Sequence, residues 1–292
     1  MRDRIFGERG GRETEEGGAA APAPDTVLTW AGSSHRGRFK PNNEDACLCL
    51  STTRESHTVL PLDGTLGLES ADLICAVSDG MGGANAGERA SELVVAEIAR
   101  YLPNAFRTAA LGMDPDHLGI LDEALSNAHD AIAVEADAHP ERRGMGATLS
   151  LCWFTPGRAW FAHVGDSRIY RIREGKLRQL TEDHTRVGQL LRAGLINERQ
   201  ARGHPRRHVL QQALGAGLAT PEPQLGSIHY APGDQFLLCS DGLTDGLWDK
   251  NIAQIFADTH PGRERDTRDL LLDRSLRASG MDNVSLIVVG AA

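Results

Sequence analysis

Four times along this chain an aspartate flanked by glycine or asparagine sits where an apolar run begins or ends. The four are Val77-Ser78-Asp79-Gly80-Met81-Gly82-Gly83, Val164-Gly165-Asp166-Ser167-Arg168, Cys239-Ser240-Asp241-Gly242 and Met281-Asp282-Asn283-Val284-Ser285. A strand end places its side chain at the rim of a sheet, where residues from distant strands converge. One Asp-Gly alone is a turn signal, but four beside strand-like runs constrain the chain to sheets whose ends meet. A fifth segment, Lys40-Pro41-Asn42-Asn43-Glu44-Asp45, precedes another apolar run and puts Glu44 and Asp45 at a fifth rim position. Hard cations such as Mg²⁺ and Mn²⁺ take carboxylate, carbonyl and water oxygens in near-octahedral geometry. Glycine after Asp79 and after Asp241 lets the backbone approach such an ion.

The runs themselves read as strands over Ala46–Leu50, Leu73–Ser78, Thr148–Phe154, Ala159–Val164, Ser167–Ile172, Gln235–Cys239 and Val284–Val289. Gly165-Asp166 between two of them predicts a hairpin, and Glu174-Gly175 and Pro232-Gly233 offer further tight turns. Apolar residues at helical spacing predict helices over Gly87–Tyr101, His117–Ala138 and Arg265–Ser279. Strands and helices do not alternate one for one, so the fold class expected is α+β, with antiparallel sheets and helices laid outside. Ser51–Ala71 reads as an enlarged hairpin loop and Thr181–Ala216 as a surface excursion with short helical pieces. Residues 1–25, rich in Gly and mixed charge without periodicity, read as a disordered tail, which leaves 26–292 as one catalytic domain. A length of 292 residues fits that division.

Composition narrows the function. Asp plus Glu number 40 against 31 Lys plus Arg, a net charge of −9, which argues against nucleic acid or an anionic membrane as partner. No run reaches the roughly 18 apolar residues that cross a bilayer, and the first residues lack the apolar segment of a signal peptide. The five cysteines, Cys47, Cys49, Cys75, Cys152 and Cys239, are odd in number, lie in strand-like runs and form no CxxC pair. They read as buried thiols in a reducing, cytoplasmic protein and not as a zinc site or disulfide framework.

The ordered set Asn43-Glu44-Asp45, Asp79-Gly80-Met81-Gly82-Gly83, Gly146-Ala147-Thr148, Gly165-Asp166-Ser167-Arg168, Thr181-Glu182-Asp183-His184, Ser240-Asp241-Gly242 and Asp282-Asn283-Val284-Ser285 resembles the metal-dependent protein phosphatases of the type 2C (PPM) family, in the style of its bacterial serine/threonine members. The resemblance spans Thr26 to Gly290 and implies an α-β-β-α sandwich of two antiparallel sheets flanked by helices. It implies two or three Mg²⁺ or Mn²⁺ ions. Asp79 would bridge the first two, the Gly80 carbonyl would bind the first, and Asp241 and Asp282 would complete the second site. Asp166 with Asp241 would hold a third, and Glu44 and Asp45 would act mostly through metal-bound waters. Arg168, Ser167, Asn283 and Ser285 would support the ligands, and Val187–Leu214 would form a flap beside them. The implied reaction is hydrolysis of phosphoserine or phosphothreonine in proteins, the products of a serine/threonine kinase, by metal-activated water without a phosphoenzyme.

Two residues depart from the family pattern. Lys40 stands four residues before Glu44, where many members carry a phosphate-gripping arginine; it keeps the charge and loses the bidentate fork. Met81 stands where many eukaryotic relatives carry a histidine, which leaves the proton donor open; His184 is a candidate, set against a structural role anchoring the flap. A catalytically silent phosphatase-like binding module is the chief alternative, and a metal-dependent nuclease the second.

Overall fold

The computed structural model describes residues 26–53, 55–82, 86–109 and 115–292; the expected tail, residues 1–25, and Gly83 lie outside the described residues. The chain opens with strands β1 (Val27–His35), β2 (Asp45–Thr52), β3 (His57–Leu60), β4 (Asp63–Gly67) and β5 (Asp72–Met81), then helices α1 (Ala86–Ala109) and α2 (His117–Ala138). Next come β6 (Gly146–Ala147), β7 (Leu149–Thr155), β8 (Arg158–Val164), β9 (Arg168–Arg173), β10 (Lys176–Gln179), α3 (Arg186–Arg192), α4 (Glu198–Arg202) and β11 (Leu214–Gly215). The last part holds β12 (Gln224–His229), β13 (Gln235–Cys239), α5 (Asp241–Gly246), α6 (Asp249–Thr259), α7 (Glu264–Ala278) and β14 (Val284–Ala291).

Two antiparallel sheets result. One runs β10-β9-β13-β14-β1-β4; the other runs β3-β2-β5-β7-β8-β12, with β6 and β11 continuing from the far end of β5. The period of two along a strand explains how they stack. On β14, Ile287 and Val289 pack between the sheets, while Leu286 and Val288 pack under α5, α6 and α7. On β5, Leu73, Cys75 and Val77 face the space between the sheets, and Ile74 and Ala76 face α1 and α2. Both central strands are therefore apolar on both faces, which is why they read as continuous runs. Three apolar layers hold four layers of structure together, and each fully buried Leu, Ile or Val contributes about 1.5–3 kcal/mol. The α+β sandwich is as expected.

The Gly165-Asp166 step differs from expectation: it is not a hairpin. β8 pairs with β7 and β12, whereas β9 pairs with β10 and β13, so the chain crosses between sheets there. Each strand is apolar on both faces and needs a neighbour on both edges of its own sheet. Gly165, at φ 112°, supplies the corner, and turn chemistry alone does not distinguish a corner from a reversal. Ser51–Ala71 is also more than a loop: β2 and β5 do pair across it, but β3 extends one sheet and β4 joins β1 in the other. Among the described residues no helix is long and apolar enough to cross a membrane.

Candidate metal centre

The site forms at the end of the sandwich where strand ends from both sheets meet. Asp45 opens β2 and Asp79 nears the end of β5, and the antiparallel register sets the two directly opposite each other. Like charges so placed repel. Ser240 brings in the second sheet: its hydroxyl donates to Asp45 Oδ2 at 2.8 Å and accepts from the Ser285 amide at 3.0 Å. Asp241 follows at the first turn of α5, and Asp282 lies just before β14.

Neutral side chains fix the backbone that carries these carboxylates. The Asn283 side chain accepts from the Glu44 amide at 2.9 Å and donates to the carbonyls of Arg36 and Asn42, both at 2.9 Å. The Asn43 amide donates to Ser34 Oγ at 2.7 Å, which meets Ser285 Oγ at 2.8 Å. Thr148 Oγ1 accepts from the Asp79 amide at 3.0 Å and contacts Ser167 Oγ at 2.7 Å. Gly80 is pressed between chains: a β-carbon there would lie 2.0 Å from the Gly87 carbonyl oxygen. Ser167, expected to orient the turn of Asp166, contacts the threonine that holds the Asp79 amide, and the side chains of Asn283 and Ser285, expected to support Asp282, reach the Glu44 amide and Ser34.

Asp166 enters from the corner between β8 and β9. The His184 amide donates to the Gly165 carbonyl at 2.7 Å, and the Gly165 amide donates to His184 Nδ1 at 3.2 Å. Burial, then Arg192, holds the His184 ring below its ordinary pKa, and its Nδ1, accepting from the Gly165 amide, ties the ring to the corner. Arg168 grips Asp183 with both arms, Nε to Oδ1 at 2.8 Å and Nη2 to Oδ2 at 2.6 Å.

One residue that the sequence reading missed belongs here. His208, from the excursion between β10 and β11, sets Nδ1 3.0 Å from Asp241 Oδ2 and Nε2 3.3 Å from Asp245 Oδ2. One donor atom each from Asp166, His208 and Asp241 lies within 4.8 Å of the others, beside a cleft of about 130 Å³ that also touches Asp183 and Asp245. Nothing local singled out His208, because it stands in no apolar run and its acidic partners are more than thirty residues away. Arg202 fixes the excursion to α5 through the Thr244 carbonyl at 2.5 Å, and its guanidinium lies 4.3 Å from the Trp248 ring centre.

The electrostatics are those of crowded acids. Burial, then Asp45, Asp241, Asp166 and Asp282, pushes the Asp79 carboxyl well above the ordinary range. Burial raises Asp45 to about 7, against hydrogen bonds from Ser240 and Ser285 and with the charges of Asp241 and Asp282. Burial and then Asp241 raise Asp166. Positive charge comes from Lys40, whose Nζ sits 2.7 Å from Asp282 Oδ1; the Asp241 hydrogen bond raises the pKa of His208. Glu44 aims its carboxylate at the first turn of α1, beside Gly87. Asp45, Asp79, Asp166, Asp241 and Asp282 are thus brought together, with Lys40 and Glu44 at the edge. Among the described residues, Asp45 Oδ1 and Asp241 Oδ1 are buried without a hydrogen-bond partner, and a bare carboxylate oxygen shielded from water needs a cation to balance it. The donor set, all oxygen with one imidazole, fits Mg²⁺ or Mn²⁺.

A family model described as Protein phosphatase 2C matches residues 32–277. The chain is 33% identical over 264 residues to the serine/threonine protein phosphatase PstP of Mycobacterium tuberculosis, covering 90% of this chain and 45% of PstP. It therefore spans about half the length of that relative. It is 31% identical to the serine/threonine phosphatase stp of Listeria innocua, across 87% of this chain and 92% of the relative. Among solved structures, the catalytic domain of PstP in complex with two manganese ions superposes with a TM-score of 0.72 at 32% identity, covering 91% of this chain and 99% of that one.

Proposed function

From the premise that this chain belongs to the protein phosphatase 2C family, we propose that it hydrolyses phosphoserine and phosphothreonine in proteins with divalent cations held by its aspartate cluster. Asp79 and the Gly80 carbonyl, Asp241 and Asp282 would hold two ions, Asp45 and Glu44 would steady their shell, and Asp166 with Asp241 and His208 would take a third. When bound, such ions supply Lewis acidity: they make water a nucleophile near neutral pH and offset charge on the phosphoryl oxygens. Lys40, at the mouth of the cluster, binds and orients the substrate phosphate. A single ammonium holds it as a point charge, with less orientation than a guanidinium fork gives.

The protein supplies no thiolate nucleophile. Burial pushes the thiols of Cys47, Cys75, Cys152 and Cys239 upward, and all but the half-buried Cys47 lie in the apolar layers. Cys49 and Cys75 sit 3.9 Å apart, sulfur to sulfur, without a bond. Free thiols suit a cytoplasmic enzyme, and phosphoproteins made by a serine/threonine kinase are the substrates this reading expects.

The observation that carries the proposal is the pair of orphaned carboxylate oxygens on Asp45 and Asp241 inside a cluster of five aspartates drawn from both sheets. Manganese-dependent hydrolysis of para-nitrophenyl phosphate and of a phosphothreonine peptide tests it. Activity should vanish with chelator and fall at least about a hundredfold in Asp241→Asn. Turnover that persists in chelator, or in Asp241→Asn at the wild-type rate, contradicts it.

A further inference from the structure

The segment Arg36-Gly37-Arg38-Phe39-Lys40 is laid along the loop that carries Asp282. The Asn283 side chain donates to the Arg36 carbonyl at 2.9 Å, the Arg38 amide donates to the Gly280 carbonyl at 2.8 Å, and Lys40 Nζ reaches Asp282 Oδ1 at 2.7 Å. Three cations therefore line one strip of the rim. Lys40 turns inward to the aspartate cluster, while Arg36 and Arg38 are exposed.

Some exposed arginines have a carboxylate at hand, Arg100 with Glu97 at 2.5 Å, Arg263 with Asp266 at 3.0 Å and Arg277 with Asp273 at 2.9 Å, while others, such as Arg143, Arg199 and Arg274, form no ion pair among the described residues. What sets Arg36 and Arg38 apart is their place beside Lys40 on the rim of the aspartate cluster. Among the described residues neither Arg36 nor Arg38 forms an ion pair; Arg36 reaches only the Pro41 carbonyl at 3.5 Å, and the Arg38 guanidinium lies 5.4 Å from the Phe39 ring centre. On a chain of net charge −9, two unpaired guanidiniums beside the phosphate-binding lysine are charge left open for a partner. A rim charge of this kind selects among ligands and speeds their arrival more than it adds raw affinity.

We propose that Arg36 and Arg38 form a subsite for acidic side chains, selecting phosphoprotein segments with aspartate or glutamate flanking the phosphorylated serine or threonine. The proposal rests on the phosphatase reading above. An extended peptide advances about 3.3 Å per residue, so acidic residues within about four positions of the phosphorylated one come within reach of the two guanidiniums.

The test uses the whole chain with Mn²⁺ and two phosphothreonine peptides that differ only in flanking residues, glutamate in one and glutamine in the other. The wild type should favour the acidic peptide by about tenfold in kcat/KM, the size expected of two exposed charge pairs, with the difference in KM. In the double variant Arg36→Gln, Arg38→Gln the ratio should fall to about one, and in Arg36→Lys, Arg38→Lys most of it should return. The ratio is an internal control, because general damage to the enzyme cancels from it. Equal turnover of both peptides by the wild type, or an unchanged ratio in the glutamine variant, overturns the subsite and leaves the phosphatase reading intact. Failure to hydrolyse either peptide or para-nitrophenyl phosphate overturns both.

Discussion

Replacing Asp45 by asparagine should make the metal-free protein more stable. Asp45 is buried opposite Asp79, with Asp241 and Asp282 acting on it, and its carboxyl is raised from 3.8 to about 7. A raised value means that the fold prefers the protonated form. That stabilisation is complete below about pH 3.8 and lost as the pH climbs through about 7. The rise from 3.8 to about 7 amounts to about 4 kcal/mol against the charged form at pH 8. The amide of asparagine keeps an acceptor for Ser240 Oγ and puts a donor where Oδ1 has no partner. Imperfect fit removes part of the gain, leaving about 2–4 kcal/mol, or about 5–10 °C in Tm for a chain of this length. Calorimetry of wild type and Asp45→Asn in chelator at pH 8 measures it, and at pH 5 the difference should shrink by more than half. Saturating Mn²⁺ should narrow the difference, since cation at a hundred times its Kd stabilises the wild type by about 2.7 kcal/mol and the variant by less. A variant that melts at or below the wild type in chelator at pH 8 would refute the claim that the cluster is held together against its own charge.

Gly80→Ala places a β-carbon 2.0 Å from the Gly87 carbonyl oxygen, so urea unfolding should show a loss of about 3 kcal/mol or more. Asp183→Ala removes the bidentate partner of the largely buried Arg168 guanidinium, leaving it the Tyr170 hydroxyl at 2.8 Å and Asp249 at 3.7 Å, and should cost about 2–3 kcal/mol by the same measurement. Arg168 and its hydrogen bonds hold the Asp183 carboxyl below its ordinary value despite burial; the contribution of the pair is therefore present above about pH 3.8 and fades as the pH falls further, which thermal melts at pH 7 and pH 3 will show. His208→Ala should weaken the Mn²⁺ bound beside Asp166 and Asp241 by about tenfold, read by calorimetric titration; an unchanged isotherm removes His208 from the site.

How much of this could be read from the chain depended on how local the signal was. Buried central strands such as β5 and β14 announced themselves as apolar runs, and α2 was legible to its ends because its periodicity spans the whole helix. β1 and β12 carry Thr, Ser, Gly and His among their apolar residues, so no clean period of two marks them. α6 was missed because Asp249–Thr259 buries only Ile252, Ile255 and Phe256. The aspartates were legible because each sits beside glycine or asparagine at an apolar boundary. His208 and the crossing at Gly165-Asp166 were not, since both depend on which distant strand is the neighbour. Lys40 was found through the family resemblance, as the residue standing where many members carry an arginine, but its contact with Asp282 is a tertiary fact.

The most direct test of the account is the anomalous scattering of manganese in crystals soaked with the ion. Two or more peaks should lie between the two sheets' ends, each bounded by carboxylates from Asp79, Asp241, Asp282 or Asp166, with Lys40 drawn off Asp282. Absence of any peak there, with those carboxylates instead turned to basic side chains, would contradict it.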